Sequence, residues 1–373
     1  MAGPPYGHVY DERVRWSNLA PEQSAAPGGE PAAPALPMAV PGAVVRTFDT
    51  PGFAGMTFYE IHAKSIINRV PGASRVPFEW TINPYRGCSH ACVYCFARST
   101  HTYLDLDAGA DFDRQVVVKV NSGELLRREL AAPRWHGDHI AMGTNVDCYQ
   151  RAEGRYRLMR DILAGLRDFA NPFSILTKGT LILRDLDLLR QAAEVTEVGL
   201  AVSVGFVNEA LWRSVEPGTP SPRRRLDLVR QLSDAGFAVG VLMAPVLPGL
   251  SDDDASIDAT AAAIAAAGAA SVTPLPLHLR PGAREWYGQW LAREHPDLVP
   301  RYRELFARGS YSPKDYQREV TARVRTAARR YGLGGAGSSH RTPASPQEAR
   351  EARESGRRPR STTPAAPDQP TLW

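Results

Sequence analysis

The stretch that decides the fold spans residues 83–95 and reads Asn83-Pro84-Tyr85-Arg86-Gly87-Cys88-Ser89-His90-Ala91-Cys92-Val93-Tyr94-Cys95. Three thiolates can hold three irons of a [4Fe–4S] cube and leave the fourth iron free for a substrate or cosubstrate, whereas four thiolates close the cluster. The alternative is a structural zinc site that adds Cys148 or a histidine such as His90 as the fourth ligand. Zinc motifs usually contain a second pair of CxxC type, and that pair is missing here. The spacing therefore predicts a three-thiolate metal site.

The composition of the 373 residues excludes several classes of protein. No stretch approaches the roughly 20 consecutive apolar residues of a transmembrane helix, and the N-terminal residues lack the charged and apolar regions of a secretory signal. Four cysteines, three of them clustered, fit a reducing cytoplasm better than a disulfide scaffold. We therefore expect a cytoplasmic protein without membrane contact. The net charge of +4 does not decide whether it binds nucleic acid.

Composition also divides the chain into three parts. Residues 1–44 contain Pro and Gly throughout without an apolar period, and residues 334–373 are rich in Gly, Ser, Pro, Arg and Glu. Both are predicted to be disordered tails. A single folded domain is predicted between them, at residues 45–333.

Strands and helices alternate within this domain, which predicts a parallel sheet with crossover helices. A short β-branched run at Gln115–Val120 precedes a helix at Gly123–Leu130. Six further runs are predicted as strands: Phe78–Asn83, His139–Asp147, Phe173–Thr177, Glu197–Gly205, Ala238–Ala244 and Ser271–Leu277. Six such units predict an α/β fold, a partial (β/α)6 barrel of the TIM type. Functional residues in such folds gather at the C-terminal ends of the strands, where the cysteine loop falls.

The stretch Asn83–Cys95, with an aromatic residue just before the last cysteine, resembles the radical S-adenosylmethionine (SAM) superfamily and its spore photoproduct lyase-like branch. The resemblance implies a [4Fe–4S] cluster on Cys88, Cys92 and Cys95, with SAM bound through its amino and carboxylate groups to the fourth iron. It also implies an external one-electron reductant of the flavodoxin or ferredoxin type. Reductive cleavage of SAM then gives a 5′-deoxyadenosyl radical that abstracts hydrogen from the substrate.

The same resemblance suggests where SAM binds. Tyr94 matches the aromatic residue that lies against the adenine, although it could simply shield the cluster. Gly143, Thr144 and Asn145, after the second barrel strand, match by position a polar segment that receives the cofactor's ammonium. A polar strand-to-helix turn would have the same composition.

Three further residues follow later strands and are candidates for the cofactor's carboxylate and ribose. Lys178 follows the third barrel strand, Ser203 lies on the fourth, and Arg225 opens the next helix. The pair Glu216-Pro217 resembles a landmark loop of the family and is predicted to be a structural turn.

Cys148 and the substrate are left open by the sequence. Cys148 is a candidate hydrogen donor to the product radical, a ligand of an additional metal, or a small buried residue. Relatives of the branch suggest damaged DNA as the substrate and a lyase reaction. A peptide, a nucleoside or a small metabolite is the alternative within the superfamily, and a non-catalytic zinc or iron–sulfur protein is the alternative outside it.

Overall fold

The computed structural model describes residues 43–71 and 76–333, so the predicted tails lie outside the described residues except for residues 43 and 44. The strands in this part of the chain are β1 (Val44–Arg46), β2 (Thr57–Ile61), β3 (Ile67–Arg69), β4 (Trp80–Ile82), β5 (Tyr85–Arg86), β6 (Gln115–Lys119), β7 (Ile140–Met142), β8 (Phe173–Thr177), β9 (Val198–Ser203), β10 (Val239–Val246) and β11 (Ser271–Pro276). The α-helices are α1 (Ala110–Arg114), α2 (Ser122–Leu130), α3 (Glu153–Tyr156), α4 (Leu158–Asp168), α5 (Leu186–Ala193), α6 (Glu209–Val215), α7 (Pro222–Asp234), α8 (Asp254–Ala266), α9 (Ala283–Glu294), α10 (Val299–Leu305) and α11 (Lys314–Arg330). None of these helices is long and apolar enough to cross a bilayer.

The main sheet of the described residues has seven strands in the order β11-β10-β9-β8-β7-β4-β3. Six of its strands, β4, β7, β8, β9, β10 and β11, pair in parallel with one another. The seventh strand, β3, is antiparallel to β4. The chain between successive parallel strands includes helices, as crossover connections require. This arrangement confirms the predicted α/β fold with a partial (β/α)6 barrel.

A second sheet has the order β1-β2-β6-β5. The β-branched run at Gln115–Val120 forms β6 in this sheet, where it pairs in parallel with β2, so it adds no strand to the barrel. Strand β5 pairs antiparallel with β6 and leads directly into the cysteine loop. The second sheet therefore holds the segment through which the chain enters the loop.

The barrel strands are held by an apolar core between sheet and helices. All six residues of β9 are buried, as expected for a parallel strand covered on both faces. Helix α7 begins where Ser221 accepts a hydrogen bond from the backbone N–H of Arg224, with Pro222 in the first turn. Asp253 caps α8 in the same way through the N–H of Ser256. These local signals fix where the helices begin and so which residues remain at the strand ends.

Candidate active site

One cleft lies at the C-terminal ends of the barrel strands and contains about 830 Å³ of free space, counted to its open mouth. Cys88, Cys92 and Cys95 all line it. Residues that follow β7, β8 and β9 line it as well, so the cleft joins the cysteine loop to the strand ends.

The three thiols are shielded from water. Cys88 and Cys92 are buried and Cys95 is half-buried. Burial raises the pKa of all three thiols, and that of Cys92 to about 12. Binding a metal therefore has to displace their protons, as it does at thiolate sites in general. A water-poor pocket of soft donors suits iron–sulfur chemistry.

The donor set fits a cluster on three cysteines. Within residues 43–71 and 76–333, no three His, Cys, Asp or Glu side chains converge closely enough to bind a single metal ion. A cube does not require such convergence, because each cysteine binds a different iron. The fourth ligands that a zinc site would need have other contacts: Cys148 lies in the main hydrophobic core, and Nδ1 of His90 lies 3.4 Å from Oδ2 of Asp147.

Gln150 holds the start of the cysteine loop. Its Oε1 accepts a hydrogen bond from the N–H of Ser89 at 2.8 Å, and its Nε2 donates to the carbonyl of Gly87 at 2.8 Å. The amide thus bridges the residues on either side of Cys88. Gln150 was not predicted as a site residue, although it ends the polar run after the second barrel strand.

Arg98 holds the other end of the loop. Its side chain is fully buried, and Nε and Nη2 donate to the carbonyl of Cys92 at 3.2 and 3.0 Å. Nη2 also pairs with Asp113 at 2.8 Å, and the guanidinium lies 4.9 Å from the ring of Trp286. The sequence offered one signal for this residue, its position three after the last cysteine.

Glu216 and Gly218 attach the middle of the loop to the segment after α6. The hydroxyl of Tyr94 donates to Oε1 of Glu216, and the N–H of Gly218 donates to the carbonyl of His90 at 3.1 Å. A Cβ on Gly218 would lie 2.0 Å from the carbonyl oxygen of Ser89, so only glycine fits this approach. The predicted turn at Glu216-Pro217 is thus a contact surface for the cysteine loop.

A buried ion pair fixes Glu216 in turn. Nη2 of Arg225 lies 2.5 Å from Oε2 of Glu216, and neither side chain is exposed to solvent. Burial raises the pKa of Glu216, but Arg225 and Lys178 outweigh it and hold this pKa below its usual value. Nη1 of Arg225 donates to the carbonyl of Ser203 at 2.8 Å. Arg225, predicted to contact the cofactor, is therefore placed behind the cleft wall in this structure.

The other predicted cofactor residues do line the cleft. Tyr94 and Lys178 face one another across it, with Nζ of Lys178 5.9 Å from the centre of the Tyr94 ring. Burial lowers the pKa of Lys178, but attraction to the thiolate form of Cys92 and to the Glu216 carboxylate outweighs it, and the net pKa is raised. Lys178 is thus a cation in the cleft. Ser203 also lines the cleft and donates to the carbonyl of Ala244 at 3.1 Å.

The segment after β7 lies on the same wall. Gly143, Thr144 and Asn145 line the cleft, and the hydroxyl of Thr144 shares a 3.1 Å hydrogen bond with that of Thr81. Gly143 has φ +77°, and a Cβ there would lie 1.8 Å from the carbonyl oxygen of Leu176. The glycine therefore has a structural reason for its identity in addition to its predicted role.

Asp147 connects this segment to β8. Its Oδ1 accepts hydrogen bonds from the hydroxyl of Thr177 at 2.7 Å and the N–H of Tyr149 at 2.9 Å, while Oδ2 accepts from the N–H of Lys178 at 2.6 Å. The carboxylate holds two strand ends at a fixed spacing. It thereby sets the position of Lys178 in the cleft.

Cys148 does not line the cleft. It is buried in the main core cluster, and the negative charges of Asp147 and Glu153 add to burial in raising the pKa of its thiol. The structure thus brings together nine of the eleven predicted site residues on one cleft and leaves Arg225 and Cys148 behind it.

Comparison with known proteins agrees with this geometry. The family model of the radical SAM superfamily matches residues 82–259. An uncharacterized protein of Mycobacterium tuberculosis is 48% identical over 86% of this chain and 94% of its own length. An uncharacterized protein of Methanocaldococcus jannaschii is 33% identical over 52% of this chain and 69% of its own length.

The fold is similar to that of a solved spore photoproduct lyase. The structure of that enzyme complexed with a dinucleoside spore photoproduct has a TM-score of 0.56 and 14% sequence identity, covering 74% of this chain and 79% of the other. At this identity the likeness concerns the fold alone. With the family match and the three cysteines on one cleft, it follows that the chain belongs to the radical SAM superfamily, whose enzymes use a [4Fe–4S] cluster and SAM.

Proposed function

We propose that this protein is an enzyme that cleaves SAM reductively on a cluster held by Cys88, Cys92 and Cys95. When bound, the reduced cluster and SAM together supply a 5′-deoxyadenosyl radical that abstracts hydrogen from an organic substrate. The observation that carries the proposal is that three thiols, two buried and one half-buried, and the Lys178 ammonium line one cleft. An electron donor of the flavodoxin or ferredoxin type is the proposed partner, in the cytoplasm.

The residues of the chain orient the cofactor in this proposal. Lys178 pairs with the carboxylate of SAM, since it is the cation that lines the cleft between the strand ends. Tyr94 covers the adenine with its ring while its hydroxyl is held by Glu216. Gly143, Thr144 and Asn145 receive the ammonium through carbonyl and side-chain oxygens. Arg225 acts through Ser203 and Glu216, because its guanidinium donates to both.

Anaerobic reconstitution tests the cluster assignment. We expect a brown protein with about four irons per chain that releases 5′-deoxyadenosine from SAM when it is reduced. Cys92→Ala should lose the cluster, whereas Cys148→Ala should keep its iron because Cys148 lies in the core and off the cleft. A colourless protein with one tightly held zinc would refute the proposal and support the non-catalytic alternative.

Damaged DNA is the first substrate to test, with a lyase reaction that repairs a photoproduct. The fold likeness to spore photoproduct lyase supports this choice. The measurement is the rate of 5′-deoxyadenosine release with ultraviolet-irradiated oligonucleotides against the same oligonucleotides kept dark. A rate that is the same with both would turn the search to peptides, nucleosides or small metabolites.

A further inference from the structure

The cleft has a second wall that neither the cluster nor the predicted SAM contacts use. Phe96, directly after the last cysteine, and His278, two residues after β11, line this wall together with Leu275 and Leu277. The wall is aromatic and aliphatic, in contrast to the polar strand ends opposite. Leu275 is 42% exposed, so apolar surface reaches the mouth of the cleft.

The aromatic side chains of this wall form a continuous column. The ring centres of Phe96 and His278 are 5.6 Å apart, and those of His278 and Tyr311 are 5.5 Å apart with the planes 21° from parallel. The guanidinium carbon of Arg280 lies 5.2 Å from the centre of the Phe96 ring. The column therefore runs from the residue next to Cys95 outward to Tyr311, which is 44% exposed.

The backbone holds the column in place. His278 and Tyr311 form an antiparallel bridge, and the N–H of Leu279 donates to the carbonyl of Ser310 at 2.8 Å. Rings fixed by their backbone lose little entropy when a planar ligand stacks on them. The column is thus a preorganised surface rather than a set of loose surface side chains.

The electrostatics of the column favour an anionic ligand. Among the described residues Arg280 has no carboxylate partner in an ion pair, and its side chain is exposed. Burial, with Arg280 nearby, lowers the pKa of His278 to about 4, so the imidazole is neutral near pH 7 and stacks as an uncharged ring. One cation beside a stack of rings is the arrangement that binds a planar group carrying a negative charge.

We propose that the column of Phe96, His278, Tyr311 and Arg280 is the substrate subsite, and that it takes a planar ring bearing an anionic group. The ring stacks on the column beside Arg280, and the anion pairs with that guanidinium. A nucleotide and an aromatic carboxylate share this chemistry. The subsite rests on the proposed function, because its position next to the cysteine loop matters only if a substrate must lie beside the cofactor.

Binding of defined probes to the reconstituted, SAM-loaded protein tests the subsite without turnover. Isothermal titration compares thymidine 5′-monophosphate with thymidine, and N-acetylphenylalanine with its uncharged amide. We expect one charged probe to bind about tenfold more tightly than its neutral partner, as one charge-assisted contact provides. The pair that shows the difference identifies the source of the ring. Absence of a difference in both pairs overturns the proposal.

Variants assign the effect to the column. Arg280→Gln should abolish the difference between charged and neutral probes, Arg280→Lys should restore part of it, and Tyr311→Ala should weaken both probes. The matched controls are Arg293→Gln, an exposed arginine on α9 that pairs with Glu294, and Tyr103→Ala, which is 72% exposed and does not line the cleft. Equal losses in the controls would refute the assignment.

The subsite and the proposed function fail in different measurements. If the wild-type protein cleaves SAM but binds charged and neutral probes equally, the proposed function stands and the subsite proposal is refuted. If the wild-type protein prefers the charged probe through Arg280 but does not cleave SAM, only the proposed function is refuted.

Discussion

Replacement of Glu216 by glutamine tests whether the buried ion pair supports the cysteine loop. Oε2 of Glu216 lies 2.5 Å from Nη2 of Arg225, and both side chains are fully buried. Glu216 also accepts a hydrogen bond from the hydroxyl of Tyr94. Glutamine keeps the size of the side chain and an acceptor for Tyr94, but it leaves the guanidinium without its counter-charge. Breaking a buried pair in this way costs about 3–5 kcal/mol. That is a large part of the roughly 5–15 kcal/mol that stabilises a typical domain.

Urea unfolding of the cluster-free protein measures this cost. Glu209→Gln is the matched control, because its pair with Arg213 at 3.2 Å is 48% and 66% exposed and such pairs contribute below about 1 kcal/mol. The double variant Glu216→Gln, Arg225→Met removes both charges and should recover most of the loss. A cost below about 1 kcal/mol for Glu216→Gln, or no recovery in the double variant, would refute the reasoning.

The remaining predictions concern the cleft and the core behind it. Gly218→Ala should lower the amount of cluster formed and the affinity for SAM, since its Cβ would lie 2.0 Å from a carbonyl oxygen of the cysteine loop. In the control Gly240→Ala the nearest atom to the new Cβ is 3.5 Å away, so cluster content and SAM affinity should be unchanged. Lys178→Met should raise the dissociation constant of SAM by about 10- to 100-fold, measured by equilibrium dialysis, if the ammonium binds the carboxylate. For Cys148→Ala we expect a loss of roughly 1 kcal/mol in unfolding free energy with unchanged 5′-deoxyadenosine release; a changed ratio of products would instead show that Cys148 donates hydrogen. Acid should weaken the contribution of Glu216 to stability, because the pKa of Glu216 is lower in the folded than in the unfolded protein. The contribution is present above the unfolded pKa and is lost as the pH falls through the folded pKa. In unfolding curves measured over a pH series, Glu216→Gln should remove this dependence.

The alternation of strands and helices was sufficient to predict the barrel. The runs at Phe173–Thr177 and Ser271–Leu277 became β8 and β11 within one residue of their expected ends. Their periodicity is local, so sequence alone reveals it. The first strand was predicted as Phe78–Asn83 but is shorter, Trp80–Ile82, because pairing with a neighbour decides where a strand ends.

The second sheet could not be predicted in the same way. The run Gln115–Val120 was correctly identified as β-branched, but nothing local tells which sheet it joins. Its partner is β2, Thr57–Ile61, a segment more than fifty residues earlier. Strand pairing over that distance depends on the folded chain rather than on the pattern of either strand.

The candidate site also contains residues that local sequence predicts and residues that only the folded chain reveals. The three cysteines, Lys178 and Ser203 could be predicted to share a cleft because each lies at a strand end or in a spaced motif. Gln150 was missed because a lone glutamine in a polar turn carries no spacing signal. Its role arises only when the turn after β7 approaches the loop after β4.

The residues that fix the cysteine loop all lie outside the cleft that the loop lines. Gln150 holds the start of the loop, Gly218 and Glu216 hold its middle, and Arg98 holds its end. None of these four residues lines the cleft. The buried charges that such support requires, those of Arg98 and Glu216, are therefore kept behind the wall and are neutralised there by Asp113 and Arg225. The charged groups that line the cleft are the Lys178 ammonium and the Asp147 carboxylate, beside the three thiols and the aromatic wall. A motif can thus name the chemistry of this chain, while the geometry that makes the motif work is encoded up to about 120 residues away, as in the contact between Tyr94 and Glu216.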